Sequence, residues 1–236
     1  VDRMSDLRGS QMSAGLAIMA GSGVLPRLLA EHCHKNSVPY VVISFPGSPL
    51  DWIDDHPSEP VKFEKFGHIF KVLREHDCDR VGFAGGMARP RLNPTRFDRK
   101  FLSVAPTLLS ALKGGDDAAL RAISKVIEDE GFKVISAHSV LDHLIAEKGV
   151  LTKLLPSDQD RADAARAVAI VEALGAVDVG QGAVVAQGIC LAVESIQGTD
   201  RMLRFVAETA DGFRTDPDGG RGVLYKGIKP HQDARL

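Results

Sequence analysis

A chain of 236 residues, 44% hydrophobic and 25% charged, can bury one large core or two small ones, which excludes a disordered protein. Its formal net charge of −2 argues against a surface built for nucleic acid, while leaving room for a local basic site that takes an anionic small molecule. Cys33, Cys78 and Cys190 are widely spaced with no C-x-x-C pair, which disfavours a zinc ribbon or disulfide framework and fits a reducing cytoplasm.

From Val1 to Met12 the chain lacks the apolar stretch of a signal peptide and reads as an expression-vector remnant. Gly15 to Ala20 reads as a short buried strand that runs into Gly21-Ser22-Gly23, after which Leu25, Leu28 and Leu29 recur at helical spacing. Strand, glycine turn and helix in that order open an α/β unit. Tyr40 to Phe45 is a second strand, stopped by Pro46-Gly47. A short helix is expected over 69–76, then a strand over 81–84 and a turn at Gly85-Gly86. Leu120, Ile123, Val126 and Ile127 mark an amphipathic helix, and Lys133 to Ser136 another strand. No apolar run along the way approaches the roughly 20 residues that span a bilayer, so any membrane contact is expected to be peripheral.

Between Leu151 and Ser157 the rhythm changes. Ser157 with Asp160 resembles a capping box, which predicts a helix running to Leu174 and stopped by a left-handed Gly175. Ala183 to Val185 and Ile189 to Val193 flank Gln187-Gly188, a hairpin signal. Met202, Leu203 and Val206 follow a helix start with Thr199 or Asp200 as N-cap, and Asp216 to Gly220 reads as a flexible loop. Val223, Leu224, Tyr225 and Ile228 are strand formers, ended by Pro230. The fold expected is α/β in two domains. A Rossmann-like domain with parallel strands covers 15–150, and a mixed domain with antiparallel elements covers 157–236.

Several constellations could carry chemistry, and each has a plain structural reading beside it. Gly21, Ser22 and Gly23 either aim backbone N–H groups at a phosphate or simply make a tight turn; Pro26 stands where a dinucleotide fingerprint needs its third glycine. Gly114-Gly-Asp-Asp117 fits helix capping as well as cation binding. Asp178 and Gln181 interrupt an apolar run, as a structural network or as ligand contacts. Gly198, Thr199 and Asp200 either start a helix or turn its N-terminus to a phosphate, with Asp200 facing a metal or sugar. At the end of the chain Lys226, Lys229, His231, Gln232, Asp233 and Arg235 gather at a strand exit, as a solvated charged segment or as phosphate and Mg²⁺ ligands. His32 and His34, or His138 and His143, are not at metal-binding spacing. Neither a serine nucleophile elbow nor a Walker A motif is present.

The order and spacing of these motifs, together with Ala84-Gly-Gly-Met-Ala-Arg-Pro90, Glu130-Gly-Phe132, Gly149-Val-Leu151 and Ala192-Val-Glu194, resemble the LpxI family of UDP-2,3-diacylglucosamine pyrophosphatases from residue 15 to the end. The family usually has Glu where this chain has Gln197, and its pattern continues beyond the point where this sequence stops at Leu236. The resemblance implies Mg²⁺-dependent hydrolysis of UDP-2,3-diacylglucosamine to UMP and 2,3-diacylglucosamine 1-phosphate, in the lipid A pathway. It also implies attack on the β-phosphorus, a ligand cleft between the domains, a homodimer, and a cytoplasmic protein peripheral on the inner face of the inner membrane. On this reading Asp233 and then Asp200 hold the metal and act in catalysis with Lys226 and Lys229. Gly21, Ser22, Gly23, Asp178, Gln181, Gly198, Thr199, Gln232 and Arg235 contact the substrate or the lipid 1-phosphate product. A diacylated ligand further implies a deep apolar cleft, with Leu203, Phe205 and Val206 as wall residues. The rivals are another nucleotide-sugar enzyme and a non-enzymatic nucleotide-sugar or lipid-binding protein.

Overall fold

The computed structural model describes residues 15–228 apart from 49, 88, 89 and 115. The chain divides into two compact units, the first ending at Ala146 and the second beginning at Glu147. In the first, β1 (Gly15–Ala20), α1 (Leu25–Lys35), β2 (Tyr40–Ser44), β3 (Ser58–Pro60), α2 (Phe66–Glu75), β4 (Cys78–Ala84), α3 (Arg99–Ala111), α4 (Asp116–Asp129) and β5 (Lys133–Ile135) follow in order. The strands form an all-parallel sheet of order β3-β2-β1-β4-β5.

Every residue of β1 is buried, so its sequence shows no alternation. Ala17 and Met19 pack on one face with Val41, Ile43, Val81 and the apolar sides of α2, α3 and α4. Leu16, Ile18 and Ala20 pack on the other with Val42 and the Leu29, Ala30 and Cys33 stripe of α1. Helices therefore cover both faces, as the expected α/β layering requires.

Two elements here have no counterpart in the sequence reading. The edge strand β3 is Ser-Glu-Pro, without an apolar signal. The helix α3 carries Pro106 in its interior, which argues against a helix on local grounds. It forms because Phe101, Ala105 and Leu108 are buried on one side and Asp98 caps its start, accepting from the Phe101 amide at 2.7 Å. The expected helix over 69–76 begins earlier, at Phe66, whose ring stacks into the same core as Phe70 and Phe101.

The second unit contains α5 (Asp158–Ala176), β6 (Gly182–Ala186), β7 (Ile189–Val193), α6 (Thr199–Thr209) and β8 (Val223–Lys226), with an antiparallel sheet of order β7-β6-β8. The Ser157–Asp160 capping box is present in both directions. Ala167 and Val171 of α5 bury against Ala183 and Val185 of β6. The predicted hairpin joins β6 to β7, and Gln187 and Gly188 both take positive φ, 52° and 79°, as a tight right-twisting turn demands.

Three details differ from expectation. Helix α5 runs past Gly175, and the left-handed residue is Asp178, with φ 56°. The N-cap of α6 is Gly198, with φ 79°; Thr199 and Asp200 lie inside the first turn, because only the glycine adopts that backbone without strain. The 216–220 loop is tied down, since the Gln187 side chain donates to the Asp216 carbonyl at 2.7 Å and accepts from the Asp216 amide at 2.9 Å. Asp163, 2% exposed, anchors the same turn to α5 by accepting from the Gln187 and Gly188 amides at 2.8 and 2.7 Å.

Candidate active site

A buried acid organises the second unit. Glu194 directly follows β7 and is 7% exposed. The motif that begins at Asp178 makes its seat. A Cβ at Gly180 would lie 1.8 Å from the Glu194 carbonyl oxygen, and one at Gly182 would lie 2.8 Å from Oε2, so only glycines admit this acid. Left-handed Asp178 turns the chain into that seat, and the Gln181 backbone carbonyl accepts from the Gly227 amide at 2.9 Å, locking β8 alongside.

Glu194 Oε1 accepts from the Thr199 hydroxyl at 2.6 Å and from Lys226 Nζ at 3.0 Å; Lys226 also donates to Thr199 Oγ1. Its second oxygen, Oε2, is buried without a hydrogen-bond partner among the described residues. The single hydroxyl proton of Thr199 is therefore committed to Glu194. Lys226 has three donors, uses two here, and keeps its side chain 43% exposed, so one N–H is left for a ligand. This ammonium lies at Thr199, the first residue of α6, where the helix dipole adds further positive potential. Asp200 is exposed on the same first turn. Gln197 accepts from the Ser195 hydroxyl and donates to the Val193 carbonyl at 2.9 Å, a donor bond that a carboxylate could not make.

The structure thus joins two residues singled out in the sequence as candidate site residues, Thr199 and Lys226, to Glu194, which the sequence marks only as the end of the Ala192-Val-Glu194 motif. The signal for it was an acid abutting an apolar run and trailing two glycines twelve and fourteen residues behind it. Lys229, Gln232, Asp233 and Arg235 lie outside the described residues. Among the described residues no three His, Cys, Asp or Glu side chains cluster as a metal site, and Glu194 already serves Lys226 and Thr199.

In the first unit, Gly21 and Ser22 meet the turn after β4. The Gly21 amide donates to the Ala84 carbonyl and the Ser22 amide to Gly86, each at 2.8 Å, and Ser22 Oγ reaches Gly86 as well. A Cβ on Gly21 would strike the Gly86 oxygen at 2.4 Å, and one on Gly85 would strike the Ser22 oxygen at 2.3 Å. These two amides are consumed by the protein, and the glycines serve the close approach. Gly23, with φ 98°, has nothing within 4 Å of its added Cβ and faces open space.

Beside this turn, at the carboxyl ends of β1, β2 and β4, lies an apolar cavity of about 280 Å³ lined by Met19, Phe45, Phe83, Leu108, Leu120 and Ile123 among others. A polar pocket of about 410 Å³ adjoins it, lined by Lys62, Glu64, Arg91 and Arg96, and Phe63, Met87 and Pro90 line both. Burial alone would raise the Glu64 pKa; the Asn93 amide, donating at 3.0 Å, with Arg96 and Lys62 nearby, carries it below the ordinary value instead. The walls expected on α6 do not form this cavity: Leu203 and Phe205 are 37% and 51% exposed.

A parallel sheet with its pockets at the strand ends, followed by a unit in which a buried glutamate holds a lysine, defines a two-unit α/β protein. Residues 15–144 match the LpxI N-terminal domain and residues 147–236 the LpxI C-terminal domain. The chain belongs to the LpxI family. It is similar to the UDP-2,3-diacylglucosamine pyrophosphatase LpxI of Caulobacter vibrioides, 38% identical over 221 residues that make up 94% of this chain and 79% of the relative.

Proposed function

We propose that this protein hydrolyses the pyrophosphate of UDP-2,3-diacylglucosamine to UMP and 2,3-diacylglucosamine 1-phosphate, a step of lipid A synthesis. The observation that carries the reading is the Glu194–Thr199–Lys226 cluster in a chain 38% identical to a relative of that name. Pyrophosphate cleavage needs charge on the leaving phosphate to be neutralised by groups already in place. Glu194 holds the Lys226 ammonium so that its remaining N–H meets a phosphate oxygen without first being ordered. The N-terminal amides of α6 add donors beside it. Mg²⁺, held by Asp233 with Asp200, would supply further charge neutralisation on the phosphate oxygens.

Peripheral membrane contact and a homodimer belong to the same proposal. Support for the first comes from Leu151, Leu154 and Leu155, which are 68%, 84% and 76% exposed beside Lys148 and Lys153. Among the described residues no helix is long and apolar enough to cross a membrane.

The test is UMP release from UDP-2,3-diacylglucosamine, with and without Mg²⁺, in ¹⁸O-labelled water. The expected result is Mg²⁺-dependent release with the label in the lipid phosphate, and an Asp233→Asn variant slower by about 100-fold or more, the scale of roughly 3 kcal/mol at one strong electrostatic contact. Retention of intact substrate by wild-type protein under saturating Mg²⁺ would favour a binding protein and overturn the assignment.

A further inference from the structure

Two acceptors decide where the Lys226 ammonium points. Its carrier is a long side chain at the last residue of β8, 43% exposed, and such a side chain loses much freedom when it is ordered. A single acceptor would tether Nζ and leave it free to swivel about that bond. Lys226 donates to Glu194 Oε1 at 3.0 Å and also to Thr199 Oγ1, and two fixed N–H directions of a tetrahedral ammonium determine the third. Thr199 can accept from the lysine because its own proton is committed to Glu194 at 2.6 Å, which leaves its lone pairs for the ammonium.

The acid in this triangle does not depend on Thr199 for its place. The Glu194 amide donates to the Gly182 carbonyl at 2.8 Å. Gln197 bonds to both chain neighbours of Glu194, accepting from the Ser195 hydroxyl and donating to the Val193 carbonyl at 2.9 Å. Ile196, 96% exposed, adds no packing to this turn, so those polar bonds hold it. The Thr199 hydroxyl is left with one geometric effect, on the lysine.

In front of the triangle the backbone is open. The first intrahelical bond of α6 runs from the Met202 amide to the Gly198 carbonyl, which leaves the Thr199, Asp200 and Arg201 amides without a partner in the helix. A Cβ at Gly198 would meet nothing within 4 Å. An anion seated at these amides needs the third Lys226 N–H on its side, and the Thr199 hydroxyl, carried on the same turn, ties the ammonium to them.

We propose that Thr199 is a positioning residue: its hydroxyl fixes the direction of the Lys226 ammonium and makes no bond to the substrate, while its amide remains for a phosphate oxygen. This rests on the proposed pyrophosphate hydrolysis, in which Lys226 neutralises charge that grows on phosphate oxygens in the transition state. A misdirected ammonium then lowers kcat and leaves KM nearly alone.

The experiment measures UMP release from UDP-2,3-diacylglucosamine by the full chain at saturating Mg²⁺. Wild type is compared with T199V, K226M and T199V/K226M, and with T199S as the conservative variant, folding being checked by circular dichroism. T199V should lose roughly 10- to 100-fold in kcat with KM within about twofold of wild type. T199S, which keeps the hydroxyl, should restore most of that loss. In the K226M background the same T199V change should lower kcat by less than about twofold, because no ammonium is left to aim. A further loss of about tenfold in the double variant, or a T199V loss that sits in KM, would place the hydroxyl on the substrate and overturn the assignment. T199S no better than T199V would trace the effect to packing and overturn it too. Urea unfolding of the same proteins without substrate separates this inference from the function. Coupling between Thr199 and Lys226 in a wild type that releases no UMP sinks the hydrolysis and leaves the lysine lock standing. Normal UMP release with additive kinetics does the opposite.

Discussion

Replacing Lys226 by Met removes the partner of a carboxylate that cannot reach water. Glu194 is 7% exposed and depends on Lys226 at 3.0 Å and Thr199 at 2.6 Å. Breaking a fully buried pair costs about 3–5 kcal/mol, whereas exposed pairs are worth about 0–1 kcal/mol. The Lys226 side chain is 43% exposed, so solvent screens it and the expected coupling falls between, at about 2 kcal/mol. The two single variants should differ. Lys226→Met strands the buried charge, while Glu194→Gln keeps an acceptor for Thr199 and frees a lysine that water can solvate. The double variant should recover most of the loss. Urea unfolding followed by circular dichroism measures all four proteins, and about 2 kcal/mol moves the midpoint by roughly 1 M at ordinary slopes. Trp52, the single tryptophan, lies in the first unit and provides an internal reference by fluorescence. A coupling below about 0.5 kcal/mol, or a Lys226→Met variant no weaker than Glu194→Gln, would refute the reasoning.

Gly180→Ala places a Cβ 1.8 Å from the Glu194 carbonyl oxygen, so a loss of about 3 kcal/mol and a thermal midpoint lower by more than about 10 °C are expected; an unchanged midpoint would show that the seat gives way. The depressed Glu64 pKa means that the folded state gains from the ionised group above its unfolded value near 4.5 and loses that gain as pH falls below it. Thermal midpoints between pH 7 and 3 should therefore drop more steeply for wild type than for Glu64→Gln. Burial pushes the Cys33 and Cys78 thiols up to about 11 and about 12, so a disulfide reagent at pH 8 should modify Cys190 alone in the native protein and all three thiols in denaturant.

The inner strands β1, β2 and β4 were legible because each is an apolar run closed by a glycine turn, and the hairpin because Gln187-Gly188 names its own turn. The capping box at Ser157 was equally plain, since it acts within four residues. Tertiary contacts wrote the remainder. Helix α3 survives Pro106 through core partners from α2 that no local window contains. Glu194 was invisible as a site residue because its meaning comes from Lys226, 32 positions away, and from glycines that only a folded β6 brings beneath it. Lys226 and Thr199 stand out in the sequence through their strand exit and helix start. Gly21 and Gly23 share a motif but part company in the fold: the first is pressed against Gly86 and the second opens outward.

Both rims of the parallel sheet are only three residues long, Ser58-Glu59-Pro60 on one side and Lys133-Val134-Ile135 on the other. Proline offers no amide to a newcomer, and a glutamate or lysine in so short a rim discourages an incoming chain. Such a sheet is a poor template for strand addition, which protects a protein with so many valines and isoleucines from stacking into fibres when it is crowded. A second copy that met this sheet would do so through side chains and helices, and such a contact could loosen or tighten without tearing hydrogen bonds from the sheet.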